Sequence, residues 1–363
     1  MLNSLLRKTY KIHKWLGLIS GLVLLVIAVS GSVLVFREEI DHAQLQPPLV
    51  KFSPSNINID KSIKKLADNY PGAEIRLTNV TPKENESLQF SIRKESKRLT
   101  VFTHPETAAI LKTFDTNSTL VVWMLNLHYN LHSGQIGKVI VLITGVLFVL
   151  SIISGFIIYR KSIGKVLSFN AKVNNKNSQT LSSSLHRIVG VWSLFLNFIL
   201  AVTGVIISFT IVSTGLKKKE HKADHLKQTV INCNIDSVLT SIRSQYTDFQ
   251  PNYIRIPAGS ETIQVGGSVP DDFFLYFPFS NQIKVELASG KVKGKLELIA
   301  QKSFGEKFNA IIKPLHFGEY GGFIVKIIYC LTGLSVPLLS ITGFMMYFIK
   351  RRKASLKSIP VIS

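Results

Sequence analysis

The sequence predicts a membrane protein that is mainly α-helical and carries α+β modules outside the cytoplasm. Four apolar runs, an uneven distribution of basic residues and a recurring histidine–glycine pattern predict this class. The recurrence indicates that four transmembrane helices form two parallel repeats, each made of a helix, an outer module and a second helix.

Four runs contain no charged side chain, and they cover residues 15–36, 139–159, 188–216 and 327–349. A helix needs about 20 apolar residues to cross the hydrocarbon core of a bilayer, so each run is long enough to span it. The first run is too long for the apolar part of a signal peptide and has no clear small-x-small cleavage site. We therefore expect it to remain as a signal-anchor helix.

The net charge of +21 is concentrated beside the apolar runs. Residues 1–14, 160–187 and 350–363 hold 15 Lys and Arg and no acidic residue, whereas 37–135 and 217–322 hold all 22 acidic residues and 26 basic ones. This asymmetry predicts that both termini and the central basic loop are cytoplasmic, and that the two long, nearly neutral loops lie outside. The distribution argues against a nucleic-acid-binding protein.

The expected domains follow from these runs. In chain order they are a basic N-terminus with transmembrane helix 1 (1–36), a first outer module (37–117), an interfacial segment with transmembrane helix 2 (118–160), a basic cytoplasmic loop (161–185), transmembrane helix 3 (186–216), a second outer module (217–312), an interfacial segment with transmembrane helix 4 (313–350) and a basic cytoplasmic tail (351–363). The central loop is rich in Ser and Asn and is expected to be flexible.

Each outer module reads as one helix packed on a small meander of strands. Helical spacing of apolar residues predicts helices at 60–69 and 235–246. Alternating apolar residues predict strands at 74–80, 88–92, 99–103 and 109–114 in the first module, and at 253–256, 262–265, 273–277, 283–287 and 295–300 in the second.

The histidine–glycine pattern recurs in transmembrane helices 1 and 3. His13 is followed after 18 residues by Gly31, and His186 is followed after 18 residues by Gly204. Eighteen residues make about five helical turns and rise about 27 Å, so each histidine and its distal glycine share one helix face. Each copy therefore places a histidine near one membrane surface and a glycine near the other.

A second pair of histidines is predicted near the outer ends of transmembrane helices 2 and 4. An offset of 188 residues relates His128 to His316, and His132 lies one helical turn beyond His128. Two neutral histidines on facing helices suit a six-coordinate haem. We expect His13 and His186 to form an inner ligand pair and His128 and His316 an outer pair, with His132 as the alternative outer ligand.

Gly31 and Gly204 are expected to give clearance for a haem held by the outer pair. Another interpretation is also open, since glycines pack membrane helices without any cofactor and a histidine at a membrane surface can be only an interfacial polar residue. The polar Asn197 is expected to face the helix bundle. His221 and His225 have metal-binding spacing, but their charged context is typical of a solvated helix exit.

Other cofactor motifs are absent from the sequence. A CxxCH motif is missing, so any haem is non-covalent. No dinucleotide fingerprint or P-loop is found, so an electron must come from quinol or from a partner reductase.

The chain resembles the PepSY-associated transmembrane proteins, a bacterial inner-membrane family that includes haem-containing ferric-siderophore reductases. The matching motifs are HKWLGLISGLVLLVIAVSG, LHYNLHSGQIGK with SGFIIYRK, LHRIVGVW with TG, and LHFGEYGG with TGFMMYFIKRRK. The outer-module turn departs from the usual Asp-Pro-x-Thr-Gly and reads His-Pro-Glu-Thr-Ala from His104, and His132 stands where an apolar residue is more usual. The resemblance implies PepSY-like outer modules and two b-type haems ligated by His13, His186, His128 and His316.

The resemblance further implies transfer of single electrons across the bilayer to a ferric siderophore or other ferric chelate outside. An alternative class is a haem-free envelope protein whose modules bind or regulate periplasmic proteins. A metal transporter is a third possibility that the scarcity of intramembrane acids disfavours.

Overall fold

The computed structural model describes residues 2–217 and 229–357, which fall into two compact units. The membrane unit comprises Met1–Arg37, Met124–Leu216 and Leu315–Ser363, and the sheet unit comprises Glu38–Trp123 and Lys217–Pro314. His221 and His225 lie outside the described residues.

The helices within the described ranges are α1 (Leu2–Leu34), α2 (Arg37–Leu45), α3 (Ile59–Asn69), α4 (Leu120–Asn130), α5 (Gly134–Tyr159), α6 (Ile163–Leu167), α7 (Ser178–Trp192), α8 (Leu194–Lys217), α9 (Ile235–Gln245), α10 (Phe304–Phe317) and α11 (Gly322–Lys357). The strands are β1 (Glu74–Leu77), β2 (Leu88–Lys94), β3 (Lys97–Thr103), β4 (Ile110–Asp115), β5 (Gln250–Ile256), β6 (Thr262–Ser268), β7 (Asn281–Glu286) and β8 (Val292–Glu297).

Four helices of the membrane unit are long and apolar enough to cross a bilayer. The qualifying segments are Ser4–Leu34, Gly134–Tyr159, Leu194–Gly215 and Gly322–Lys353. Helix α1 packs against α5 and α11, and α11 also packs against α7. The predicted membrane class with four apolar helices is confirmed.

The segments flanking the apolar runs are more helical than expected. The basic residues of 1–14 extend α1 almost to the N-terminus, and α11 continues beyond residue 350. The prediction of a flexible loop at 161–185 is wrong in part, because α6 and the first half of α7 lie there. The prediction took the Ser- and Asn-rich composition as a sign of a loop, but here such residues start a helix. Asn177 accepts hydrogen bonds from the amides of Gln179 and Thr180, and these residues form a capping box that starts α7.

The two outer modules form one continuous sheet. Its strand order is β4-β3-β2-β1-β5-β6-β7-β8, and each neighbouring pair is antiparallel. The joint is the pairing of β1 with β5, in which Ile75 faces Ile256 and Arg76 faces Arg255. The sequence had predicted two modules, and their fusion through backbone pairing was not anticipated.

The helices α3 and α9 contribute to the hydrophobic core of the sheet unit. Ile63 and Leu66 of α3 and Ile242 of α9 are fully buried with strand residues such as Phe90 and Ile254. Complete burial of a side chain of this size stabilises the fold by about 1.5–3 kcal/mol. The core therefore includes residues from both modules.

A reciprocal pair of aspartates links the first turns of α3 and α9. The Asp236 carboxylate accepts hydrogen bonds from the amides of Ile59 (3.1 Å) and Asp60 (3.0 Å). In return, the Asp60 carboxylate accepts one from the amide of Ile235 (2.9 Å). Each carboxylate lies where the unpaired amides of the other helix carry partial positive charge. The tripeptide Asn-Ile-Asp occurs at both sites, at 58–60 and 234–236.

The strand predicted at 273–277 is wrong, although the other predicted strands are found with shifted ends. This aromatic run lies between Pro270 and Pro278 and makes successive turns instead. The amide of Tyr276 donates to the carbonyl of Phe273, a local turn hydrogen bond. Proline has no backbone N–H to donate to a neighbouring strand, so the two flanking prolines disfavour a strand here. The aromatic composition of the run alone therefore gave the wrong prediction.

The reciprocal aspartates predict a stability difference between two Asp→Ala changes. Asp236→Ala removes two charge-assisted hydrogen bonds to α3 and is expected to lower the free energy of unfolding by about 1–3 kcal/mol. Asp68→Ala, at an exposed position of α3, is the matched control and should change it by less than about 0.5 kcal/mol. Thermal unfolding of the full chain in detergent measures both. Equal shifts would contradict the proposed link.

Candidate functional site

Two histidines from α1 and α7 face each other in the membrane unit. The ring centroids of His13 and His186 are 6.1 Å apart, and the ring planes are inclined by 84°. The two residues are far apart in the chain, so helix packing alone brings them together. The structure thus places the first predicted pair in one site.

A second facing pair comes from α4 and α10. The ring centroids of His128 and His316 are 6.3 Å apart, with an interplanar angle of 47°. The two separations agree closely although the sequences around the pairs differ. The four histidines therefore form two facing pairs, and their role as haem ligands stays a prediction.

His132 lies outside the second pair. Helix α4 ends at Asn130, and both Leu131 and His132 adopt left-handed backbone conformations with φ values of 52° and 53°. The amide of Leu131 donates to the carbonyl of Leu127 and the amide of His132 donates to the carbonyl of Asn126, and these bonds close the end of the helix. The expectation that His132 continues the helical face of His128 was wrong, and its side chain is exposed.

Backbone carbonyls hold the Nδ1 atoms of the histidines. His13 Nδ1 lies 3.0 Å from the carbonyl of Ser151, and His128 Nδ1 lies 2.8 Å from the carbonyl of Ile27. A carbonyl oxygen only accepts, so the hydrogen of a neutral imidazole must lie on Nδ1 in both His13 and His128.

Hydroxyl groups complete the same arrangement. His186 Nδ1 lies 3.0 Å from Thr342 Oγ1, and His316 Nδ1 lies 2.9 Å from Thr203 Oγ1. Each threonine hydroxyl donates its own hydrogen to a carbonyl of its helix, Leu338 or Ile199, so it accepts from the imidazole. Holding Nδ1–H leaves the lone pair of Nε2 available to a metal ion in all four histidines.

Ser154 and Ser30 occupy the equivalent positions at the other two histidines. Ser154 Oγ lies 3.0 Å from His13 Nδ1, and Ser30 Oγ lies 3.4 Å from His128 Nδ1. In every case the residue that follows the hydroxyl is glycine. Four Ser/Thr-Gly dipeptides therefore face the four imidazoles.

The glycine of each dipeptide leaves room for an imidazole ring. A Cβ added at Gly31 would lie 2.8 Å from His128 Cε1, and one at Gly204 would lie 3.0 Å from His316 Cε1. Gly31 and Gly204 thus adjoin the imidazole rings of His128 and His316, and the clearance they were expected to give a haem stays a prediction. Gly155 does the same in the first pair, at 3.2 Å from His13, whereas an added Cβ at Gly343 would lie at an ordinary contact distance of 3.8 Å from His186.

The sequence analysis missed Gly155 and Gly343 as site residues. Their signal was the recurrence of Ser-Gly-Phe at 154–156 as Thr-Gly-Phe at 342–344, at the same offset of 188 that relates His128 to His316. Ser30-Gly31 and Thr203-Gly204 repeat the same dipeptide, so the sequence carries one Ser/Thr-Gly signal for each of the four histidines.

The separation within each pair fits one metal ion between two imidazoles. A metal about 2 Å from each of two opposed nitrogens places the ring centroids about 6 Å apart. Among the described residues, no three His, Cys, Asp or Glu converge. Two nitrogens are too few for a metal ion bound by protein alone, but they suffice as axial ligands to a metal carried by a macrocycle. The donor set therefore fits haem iron.

A cavity of about 580 Å³ opens beside His13 and His186. This volume lies within the range of roughly 300–1,000 Å³ that is usual for small-molecule and cofactor sites. Five glycines line it, which allows a flat group to approach the helices: Gly17, Gly21, Gly155, Gly190 and Gly343. Three cationic side chains also line it, and they suit the carboxylates of haem: Lys14, Lys350 and Arg351.

Two polar groups near the first pair differ in how well they are satisfied. Asn197 is buried and lines the cavity, and its Nδ2 donates to Ser335 Oγ at 3.0 Å, so the expectation that it faces the bundle is confirmed. Arg187 Nε is buried and has no hydrogen-bond partner among the described residues.

A family profile described as the PepSY-associated TM region matches residues 10–351. The chain belongs to this family. The match covers all four histidines and all four Ser/Thr-Gly dipeptides of this PepSY-associated protein. A search among curated proteins returned no match.

The glycine contacts predict opposite effects of Gly→Ala changes on α1 and α10. Gly31→Ala puts a methyl group against the His128 ring and is expected to lower the free energy of unfolding by about 1–3 kcal/mol. Gly305→Ala, at an exposed position of α10, is the matched control, because no atom lies within 4 Å of an added Cβ there. Higher helix propensity should raise its stability by up to about 1 kcal/mol. Thermal unfolding in detergent measures both shifts, and a stabilising Gly31→Ala would contradict this account.

Proposed function

We propose that the protein is a di-haem b-type electron-transfer protein that reduces ferric iron, carried as a ferric siderophore or similar chelate, in the periplasm. The observation that carries this proposal is the matched pair of facing imidazoles, 6.1 and 6.3 Å between centroids, with Nδ1 engaged in each ring. The haems would be non-covalent, with His13 and His186 as ligands of one and His128 and His316 as ligands of the other.

The membrane arrangement is part of the proposal. The basic segments at 1–14, 160–187 and 350–363 support a bacterial inner-membrane location with both termini in the cytoplasm. The recurring contacts of histidine with Ser/Thr-Gly support two parallel repeats of helix, module and helix. In this orientation the first pair is near the cytoplasm and the second is near the periplasm.

The spacing of the two pairs suits electron transfer across a bilayer. Gly31, which adjoins His128, is 18 residues from His13 on α1, and this corresponds to about 27 Å of helix. That length approaches the ~30 Å hydrocarbon thickness. Haem iron supplies reversible one-electron redox chemistry when bound.

The chain's own residues hold the ligands in position for this chemistry. The carbonyls and hydroxyls accept the hydrogen of Nδ1, which leaves Nε2 of each neutral imidazole without a hydrogen. They also fix the orientation of the ring, as the hydrogen-bond partners of ligating histidines do at other metal sites. The glycines permit the close approach of the rings. Lys14, Lys350 and Arg351 place positive charge at the cavity, where propionate carboxylates would be stabilised.

The net reaction transfers one electron from a donor to Fe(III) in the chelate and yields Fe(II). Quinol or a partner reductase on the cytoplasmic side supplies the electron, because the sequence contains no nicotinamide- or flavin-binding motif. Fe(II) has a lower charge and is held less strongly by hard oxygen ligands, so reduction favours release of the metal. This step requires no acid or base residue of the protein.

The haem content of purified protein tests the proposal. A reduced-minus-oxidised visible spectrum should show Soret and α-band changes of bis-histidine haem. His13→Ala and His316→Ala should each remove about half of the extractable haem, since each change breaks one ligand pair. His132→Ala, at an exposed turn outside both pairs, is the matched control and should retain all of it.

Three results would change the assignment. Absence of haem from the wild-type protein would overturn the reductase and favour the haem-free alternative, in which the modules bind periplasmic proteins. Loss of all haem from either His→Ala variant would indicate one shared site. Loss of haem from His132→Ala would contradict the placement of His128 as the outer ligand.

A further inference from the structure

One face of the sheet unit carries a row of basic side chains that crosses both modules. The register aligns Arg76 of β1 with Arg255 of β5, and Lys284 of β7 with Lys293 of β8. Gln264 pairs with both Arg255 and Lys284, so it lies between the two basic pairs. These residues alternate with core residues such as Ile75 and Ile256 along the strands, so they lie on the face opposite the core.

A second directly opposed pair adjoins the centre of this row. Arg93 of β2 faces Arg98 of β3, and Arg93 also faces Glu74 of β1 on its other side. We call Arg76, Arg93, Arg98 and Arg255 the arginine cluster. Like charges directly opposite one another destabilise an antiparallel sheet. The cluster therefore destabilises the sheet, and the fold of the sheet does not need these like-charge pairs.

Glu74 is the carboxylate that is engaged with the arginine cluster. Glu74 pairs with Arg76 and accepts hydrogen bonds from Arg255 at 3.2 and 3.3 Å. Burial raises the pKa of Glu74, but the hydrogen bonds from Arg255 and Arg76 outweigh that effect and the net pKa is lowered. Glu74 is thus anionic at neutral pH and neutralises part of the cluster.

Arg93 is compensated less completely, although Glu74 faces it across the sheet and raises its pKa. Its Nε is buried and has no hydrogen-bond partner within the described part of the chain. Burial, followed by the positive charges of Arg76 and Arg98, lowers the pKa of Arg93. A buried guanidinium donor beside two further cations is a position where a bound anion would be stabilised.

Aromatic rings border the arginine cluster. Tyr253 is two residues before Arg255 on β5 and interacts electrostatically with Arg76 and Arg93. Its ring stacks on Phe279 at 5.0 Å, and Phe279 stacks on Phe277 at 5.2 Å. Guanidinium groups and aromatic faces together suit planar aromatic anions.

We propose that the arginine cluster and the adjoining aromatic rings bind an anionic, aryl-containing ferric chelate of the catecholate class. This inference rests on the proposed function for the identity of the metal complex. It adds a charge preference, because the cluster favours a negatively charged chelate over a neutral or cationic one.

Binding of redox-inert gallium(III) complexes to the full chain in detergent tests this inference without electron transfer. The trianionic tris(catecholate) complex should bind at least about tenfold more tightly than a neutral tris(hydroxamate) complex, and added salt should reduce the difference. Arg93→Gln and Arg98→Gln should each weaken tris(catecholate) binding about tenfold. Arg98 is exposed, so its replacement leaves the buried part of the fold unchanged.

Arg243→Gln is the matched control, because it makes the same change at an exposed position of α9, in the helix layer. It should bind both complexes like the wild type. Equal affinity for the two complexes, or equal effects of the three variants, would overturn the inference. Displacement of the tris(catecholate) complex by phosphatidylglycerol nanodiscs but not by neutral-lipid nanodiscs would assign the cluster to lipid headgroups and also overturn it.

The haem spectrum of the same samples separates this inference from the proposed function. Wild-type protein that contains haem but shows no charge preference would overturn the chelate site alone. Protein that shows the preference but lacks haem would overturn the electron-transfer function while leaving an anion site.

Discussion

The hydrogen bond at Nδ1 of each facing histidine is the interaction on which the candidate site depends. It fixes the tautomer, and with it the nitrogen that is free to bind a metal ion. Because its acceptors include backbone carbonyls such as those of Ser151 and Ile27, the helices must pack in one register to supply them. Helix packing and ligand orientation are therefore one constraint in the membrane unit.

The Ser/Thr-Gly dipeptides show how that constraint is met with two adjacent residues. The hydroxyl accepts from the imidazole while its own hydrogen is bonded within its helix, as for Thr203. The following glycine removes the one side-chain atom that would collide with the ring, as at Gly31. A larger residue at either position would push the imidazole out of place. Because protein interiors are closely packed, a displacement much smaller than the ring would break its hydrogen bonds.

The sheet unit joins its halves through a different interaction. Backbone pairing of β1 with β5 and the reciprocal aspartates Asp60 and Asp236 connect two modules that are distant in sequence. The same pairing places Arg76 directly opposite Arg255. The joint that completes the core thus also creates the concentration of positive charge on the opposite face.

The sequence by itself determined the membrane class, the four apolar helices, most strands and the four paired histidines. These follow from local composition, from alternation and from repeat spacing, such as the 18 residues between His13 and Gly31. Only the tertiary structure decided that α4 ends before His132, that residues 273–277 form turns instead of a strand, and that the two modules share one sheet. The shared sheet depends on contacts between segments far apart in the chain, such as β1 with β5, and local patterns carry no record of such contacts.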